Sequence, residues 1–249
     1  MKIRPSDPNA RLLLAAVEKL APLLNRIAFV GGCTTGLLIT DPGSAPVRAT
    51  LDVDAIIQVP TYATPSEVEA ATALSYQEYF ALEQQLQELG FYQPTDASVP
   101  RCRWVSGEVV LDLMPTDPAI LGFTNRWYGP ALDNAEAVSI GEHTIRLITS
   151  PYFLATKLEA FRNRGQEDYR GSRDLEDIIT VIDGRAEVVK EVDSAAIELK
   201  NYLTEEFRLL SSTPTFLDAL PGHLLPDAAS QRRLPLILGR IQQMMLREV

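Results

Sequence analysis

Asp52, Asp54 and Asp112 stand within apolar, β-branched runs, residues 50–59 and 108–114. Aspartate is depleted in strands, and a buried carboxylate is costly unless something compensates it. Any fold of this chain must therefore bring positive charge or water to these positions. Asp52 and Asp54 are two residues apart, so in a strand both side chains leave the same face, about 7 Å from each other. If the strand carrying Asp112 is a neighbour, three carboxylates converge and require a cation or bound protons. Hard oxygen donors of this kind suit Mg²⁺, which keeps its remaining positions for water and substrate phosphates. A lone Asp-x-Asp also reads as a pair of solvent-facing strand residues.

The elements around these acids follow from periodicity. Residues 9–24 place Leu12, Leu13, Val17, Leu20 and Leu24 at helical spacing, with Asp7-Pro8 as cap and first turn. Residues 27–30 are a short apolar strand ending at Gly31-Gly32, followed by a helix-like stretch from Cys33 to Thr40 that stops at Asp41-Pro42-Gly43. Residues 50–59 form a second strand, and residues 65–89 a long helix ended by Gly90. Residues 101–105 and 108–114 pair around Ser106-Gly107, and 136–139 and 142–148 around Gly141. From Ser150 onward the pattern is helical, with breaks near Gly184 and over 211–227. The expected architecture is α+β, with an α/β domain at residues 1–148 and a helical domain at 149–249.

Composition narrows the function classes. The net charge is −10, which argues against a broad basic face for nucleic acid. Yet 18 of the 23 basic residues are Arg, and Arg162, Arg164, Arg170 and Arg173 gather within twelve positions. Arginine's planar fork suits phosphate. No run approaches the roughly 18 apolar residues of a membrane span. The N-terminus lacks the apolar core of a secretory signal, and the two cysteines have no metal-type neighbours. A reduced, cytoplasmic protein without membrane partners is expected.

The strand, Gly31-Gly32 turn and helix start form a geometry in which backbone N–H groups can hold phosphate. Together with Asp52, Asp54 and the later Asp112, this resembles the polymerase-β-like nucleotidyltransferase superfamily. More narrowly, Arg48-Ala49-Thr50-Leu51-Asp52-Val53-Asp54 is similar to the Arg-x-Thr-x-Asp-x-Asp motif of the AbiEii-type nucleotidyltransferase toxins, a group that includes the MenT toxins. Arg173-Asp174-Leu175-Glu176-Asp177 resembles the later Arg-Asp-x-x-Asp motif of that family, and Lys157 its upstream lysine. The likeness spans about residues 25–183; Cys33-Thr34-Thr35 departs from the usual residues after the glycines, and residues 185–249 match no motif.

The resemblance implies a mixed sheet with flanking helices and a helical C-terminal half. It implies metal-dependent transfer of NMP from an NTP to an acceptor hydroxyl, with Asp52, Asp54 and Asp112 as catalytic residues and ligands of two Mg²⁺ ions, Mn²⁺ being the alternative. Gly31, Gly32, Thr34, Arg48, Thr50, Lys157 and Asp174 would bind the nucleotide. The acceptor would be RNA, a tRNA 3′ end, and the effect toxic and relieved by a cognate antitoxin protein. Two other readings stay open: the same chemistry on a small-molecule or protein hydroxyl, and a nucleotide-binding regulatory protein without turnover.

The helical half adds its own signals. Ser150 as cap and Pro151 at the first position align Leu154, Leu158 and Phe161, with Lys157 close to that stripe. A lysine on the buried side either faces phosphate or belongs to a structural ion pair. In the next helix Asp174 lies nearer the apolar stripe of Leu175, Ile178, Ile179 and Ile182 than Asp177 does, and is the expected inward carboxylate. Trp104 and Trp127 are expected in the core.

Overall fold

The computed structural model describes residues 6–58, 65–165 and 167–246, with side chains given outside 65–76. The chain divides into two compact units, residues 1–34 with 49–148, and residues 35–48 with 149–249. The architecture is α+β: a mixed sheet with flanking helices in the first unit, helices in the second.

In the first unit, α1 (Ala10–Lys19) opens the chain and buries Leu13, Ala16 and Val17. Its entry is held by the Asp7 carboxylate, which accepts the Asn9 N–H at 2.9 Å. The sheet contains β1 (Ile27–Val30), β2 (Val53–Ile57), β3 (Arg103–Ser106), β4 (Val109–Pro115), β5 (Glu136–Ile140) and β6 (His143–Leu147). Their order is β3-β4-β2-β1-β6-β5. β1 pairs antiparallel with β2 and parallel with β6, and β2 pairs parallel with β4. The outer hairpins β3-β4 and β5-β6 are antiparallel.

β1, with all four residues buried, is an unbroken apolar run, as a central strand covered on both faces requires. Helix α1 packs against β2, β4 and β6. Trp104 and Trp127 are both buried.

Residues 50–52 lie outside β2, contrary to the longer strand expected from the β-branched content of residues 50–59. The partner strand β1 ends at Val30, paired with Asp54, and the chain then turns through Gly31 at φ +73°. Nothing in β1 remains for residues 50–52 to pair with, and Leu51 is 85% exposed. The stretch after Gly31 is also shorter than expected: a 3-10 turn, Gly32–Thr34, and a single helical turn, α2 (Thr35–Leu38). Its aligned peptide dipoles are too few for a strong helix-end field.

The long helix α3 (Pro65–Glu88) ends at Gly90 as expected. Two short helices follow β4, α4 (Pro118–Leu121) and α5 (Tyr128–Asp133).

The second unit holds α6 (Ser150–Arg164), α7 (Arg173–Gly184), α8 (Val188–Asp193), α9 (Ile197–Ser211), α10 (Pro214–Ala219), α11 (Ala228–Gln231) and α12 (Leu234–Met245). Its core is built from apolar stripes, with Leu154, Leu158, Ile178, Ile182, Leu203, Phe207, Ile237 and Ile241 at 1% exposure or less. Segment 35–48 belongs here because its backbone is bonded to the end of α7. Thr40 and Asp41 N–H both donate to the Gly184 carbonyl, and Arg185 donates to the Leu38 carbonyl.

Two local expectations are corrected. Ser150 is not a cap: Thr149 holds the N-cap position, and the Ser150 hydroxyl donates to Glu191. Residues 211–227 are not simply a break, since Pro214 occupies the first turn of α10 and Leu220–His223 continues as a 3-10 turn. Proline at a helix start is compatible with the helix, its missing N–H having no partner there anyway.

Among the described residues no helix is long and apolar enough to cross a membrane. Cys33 and Cys102 are both buried, and neither is in a disulfide.

Candidate active site

The parallel pairing of β2 with β4 puts Asp54 and Asp112 in register with each other. Register partners project from the same face of a sheet. Arg103 is the antiparallel partner of Asp112 across the β3-β4 hairpin, so it joins that face. Three charged residues are thereby set side by side by backbone hydrogen bonding alone.

Gly31 completes the floor. Its left-handed backbone is one that side chains adopt only at a cost, and a Cβ at this position would lie 1.9 Å from Asp54 Oδ2. The Asp54 carboxylate therefore rests where only glycine leaves room. Thr34 is fully buried, and its hydroxyl donates to the Gly31 carbonyl at 2.9 Å, bracing the turn from within.

Asp52 is positioned by its neighbours rather than by the strand. The Thr50 hydroxyl donates to Asp52 Oδ1 at 2.8 Å, and the Thr50 N–H donates to the buried Asn9 side chain at 2.9 Å. Asn9 thus ties the segment to the start of α1, a contact over 41 positions that no local pattern foretells.

Arg103 is the cation of this group. Its Nε donates to Asp112 Oδ1 at 2.7 Å, and its Nη2 to Asp112 Oδ2 at 2.6 Å and to Asp52 Oδ2 at 2.8 Å. These bonds, chiefly those to Asp112, raise the Arg103 pKa above its ordinary value against the opposing effect of burial. The acids also act on Cys102. Burial pushes its thiol up to about 12, and the negative charges of Asp112 and Asp54 add to the effect. Cys102 is therefore a thiol at neutral pH, an inert core residue.

Sequence reasoning overlooked Arg103, and the signal was the hairpin turn. A turn at Ser106-Gly107 would set Arg101 opposite Asp112. The turn falls one residue later, with Ser106 paired to Val109, and Arg103 takes that place.

Three carboxylates are donors of the right chemistry for a divalent cation. Their present placement does not gather them: among the described residues no group of three His, Cys, Asp or Glu side chains could hold a metal ion. Arg103 meanwhile binds Asp52 and Asp112. It also supplies compensation that three neighbouring acids need, so their presence alone is no argument for turnover.

The second unit brings Arg48, Lys157 and Asp174 together, with Asp177 and Arg164. Lys157 is buried in α6, and its Nζ lies 3.1 Å from Asp174 and 2.7 Å from Asp177. Arg48 clamps Asp177 through Nε at 2.8 Å and Nη2 at 2.9 Å, and Arg164 binds Asp174 through Nε and Nη2. Asp174 and Asp177 both face inward from α7, and Asp177, at 1% exposure, is the deeper of the two. Counting angular distance from the apolar stripe favoured Asp174 alone; the cations on both sides make room for both.

Burial alone would raise the Asp174 pKa, but the charges and hydrogen bonds of Lys157 and Arg164 outweigh it and leave the pKa below 3.8. For Arg48 burial lowers the pKa, and Asp177, followed by Glu176 and Asp174, raises it overall. A carboxylate whose folded pKa is depressed stabilises the fold above its unfolded pKa and ceases to do so as pH falls through the folded value. Acid titration of stability should therefore show wild type losing more than Asp174→Asn below pH 3.8. Parallel curves in that range would contradict the assignment.

No family model matches this chain, and no curated protein matches it either. Among solved structures it is similar to an antigenic nucleotidyltransferase-like protein from Paracoccidioides brasiliensis. The two share 20% identity over 86% of this chain and 93% of that one, with a TM-score of 0.46.

Proposed function

We propose that this chain is a metal-dependent nucleotidyltransferase whose catalytic carboxylates are Asp52, Asp54 and Asp112. The observation that carries the reading is the register of Asp54 with Asp112 on adjacent parallel strands, beside a Gly31 whose missing side chain makes room for Asp54. Acids on an apolar sheet at this spacing have a chemical use that solvent-facing strand residues lack.

In the proposed reaction an acceptor hydroxyl attacks the α-phosphorus of an NTP and pyrophosphate leaves. Mg²⁺, two ions, or Mn²⁺ in its place, would be held by Asp52, Asp54 and Asp112 and would supply charge neutralisation at the phosphates. Asp112 takes the proton of the attacking hydroxyl, which requires Arg103 to release one of its oxygens. Thr50 orients Asp52, and Thr34 braces the Gly31-Gly32 turn whose backbone lies beside Asp54. Arg48, Lys157 and Asp174 are proposed to bind nucleotide phosphate, their geometry set by Asp177 and Arg164.

The motif resemblance favours RNA, a tRNA 3′ end, as acceptor, with a toxic effect relieved by an antitoxin. A cavity of about 670 Å³ in the first unit, lined by Arg103, Arg101, Gln93 and Phe80, favours a second reading with a small hydroxyl compound as acceptor. Its volume lies in the range of small-molecule sites.

Wild-type protein incubated with Mg²⁺, each labelled NTP and total RNA is expected to transfer label to RNA. Label in an extractable metabolite or on protein would instead assign the other acceptors. Calorimetric NTP binding with no transfer to any acceptor would overturn catalysis and leave a nucleotide-binding regulator.

A further inference from the structure

Arg103 sits across the atoms that the proposed function assigns to a metal. One guanidinium holds both oxygens of Asp112 and Oδ2 of Asp52, and the other oxygen of Asp52 accepts from Thr50. Such forked, charge-assisted bonds are among the strongest that side chains make. They keep neighbouring acids from repelling each other without any ion being present. They also compete directly with one.

The side chain has somewhere to go. The Arg103 side chain is 28% exposed and lines the 670 Å³ cavity, which gives its guanidinium space to turn into by rotation of its own bonds. The backbone stays anchored by β3 pairing and by its buried neighbour Trp104. Asp112, by contrast, is 8% exposed and fixed in register on β4, so the acid stays while the arginine moves.

We infer that Arg103 is the built-in counter-ion of Asp52 and Asp112, and that a divalent cation exchanges with it while the guanidinium turns into the adjacent cavity. The inference rests on the proposed function for the identity of the incoming ion. Its consequence is a site that folds without metal and binds metal more weakly than bare acids would.

The test is Mn²⁺ affinity by calorimetry, and the thermal midpoint in chelator and in excess Mn²⁺, for wild type, Arg103→Met, Arg103→Lys and Asp54→Asn. Arg103→Met is expected to bind Mn²⁺ about tenfold tighter than wild type or more, the size expected when competing charged hydrogen bonds are removed. Its midpoint should fall below that of wild type in chelator and recover with Mn²⁺. Arg103→Lys, a point charge without the fork, should lie between the two in affinity, and serves if the Met variant does not fold. Mn²⁺ bound no tighter by either Arg103 variant, while wild type binds it in an Asp54-dependent way, overturns the exchange and leaves the metal site standing. Absence of Mn²⁺ binding in every protein overturns both.

Discussion

Asp54→Ala is expected to reduce nucleotidyl transfer by about 10³-fold or more, the scale on which removing one transition-state stabilising group acts. Gly31→Ala is expected to follow it, losing about 10²-fold, because a displacement of about 1 Å at a reacting group costs that much. The two substitutions act on one contact. A Cβ on residue 31 would lie 1.9 Å from Asp54 Oδ2, and no adjustment of a strand-held backbone absorbs an overlap of that size. The carboxylate has to move from the place it holds beside Gly31. Gly31→Ala also forces alanine into a left-handed conformation, at roughly 1–2 kcal/mol, so its thermal midpoint should fall. Asp54→Ala removes a half-buried carboxylate without strain and should stay folded. Transfer assays beside thermal melts separate these effects. Full activity in Gly31→Ala would show that the position of Asp54 is immaterial and would remove the site assignment.

Lys157→Met is expected to destabilise the second unit by about 3 kcal/mol, the lower end of the range for breaking a buried ion pair from one side. Lys157 is shared by Asp174 and Asp177, both nearly inaccessible, and its removal leaves two carboxylates facing Arg48 and Arg164 alone. The arginines keep the loss from being larger. Adding Asp174→Asn should recover part of the stability, since the buried acid that lost Lys157 and keeps only the largely exposed Arg164 is then neutral. Denaturant unfolding of the two single variants and the double variant measures the coupling. A loss within about 0.5 kcal/mol, the usual effect of a surface change, would mean that the network carries no stability. If Lys157 also binds nucleotide, the double variant regains stability without regaining nucleotide affinity.

Much of the framework was legible before any coordinates. Alternation and apolar runs located β1, the outer hairpins and the long helix ending at Gly90, because each is decided by neighbours within a few residues. The same local signal overreached at residues 50–52. The β-branched residues that follow Asp52 carried the strand pattern back over them, but pairing with β1 ends where β1 stops at Val30. The short stretch after Gly31 misled in the same manner: its residues tolerate helix, yet only one helical turn forms.

For the site, residue types and spacing were enough to single out Asp52, Asp54 and Asp112 as acids needing compensation, and Lys157 as a lysine needing partners. They could not say what the compensation was. Whether the strands of Asp54 and Asp112 are neighbours depends on a parallel crossover, and which arginine faces Asp112 depends on a one-residue choice of turn. Asn9 reaches Thr50, and Arg48 reaches Asp177, over 41 and 129 positions. Charge and hydrogen-bond demand are properties of single residues and their near neighbours, so the sequence by itself determined them. Which group meets each demand is settled by contacts between distant segments, and only the tertiary structure decided that Arg103 answers the acids of the sheet and that Asp177 shares Lys157.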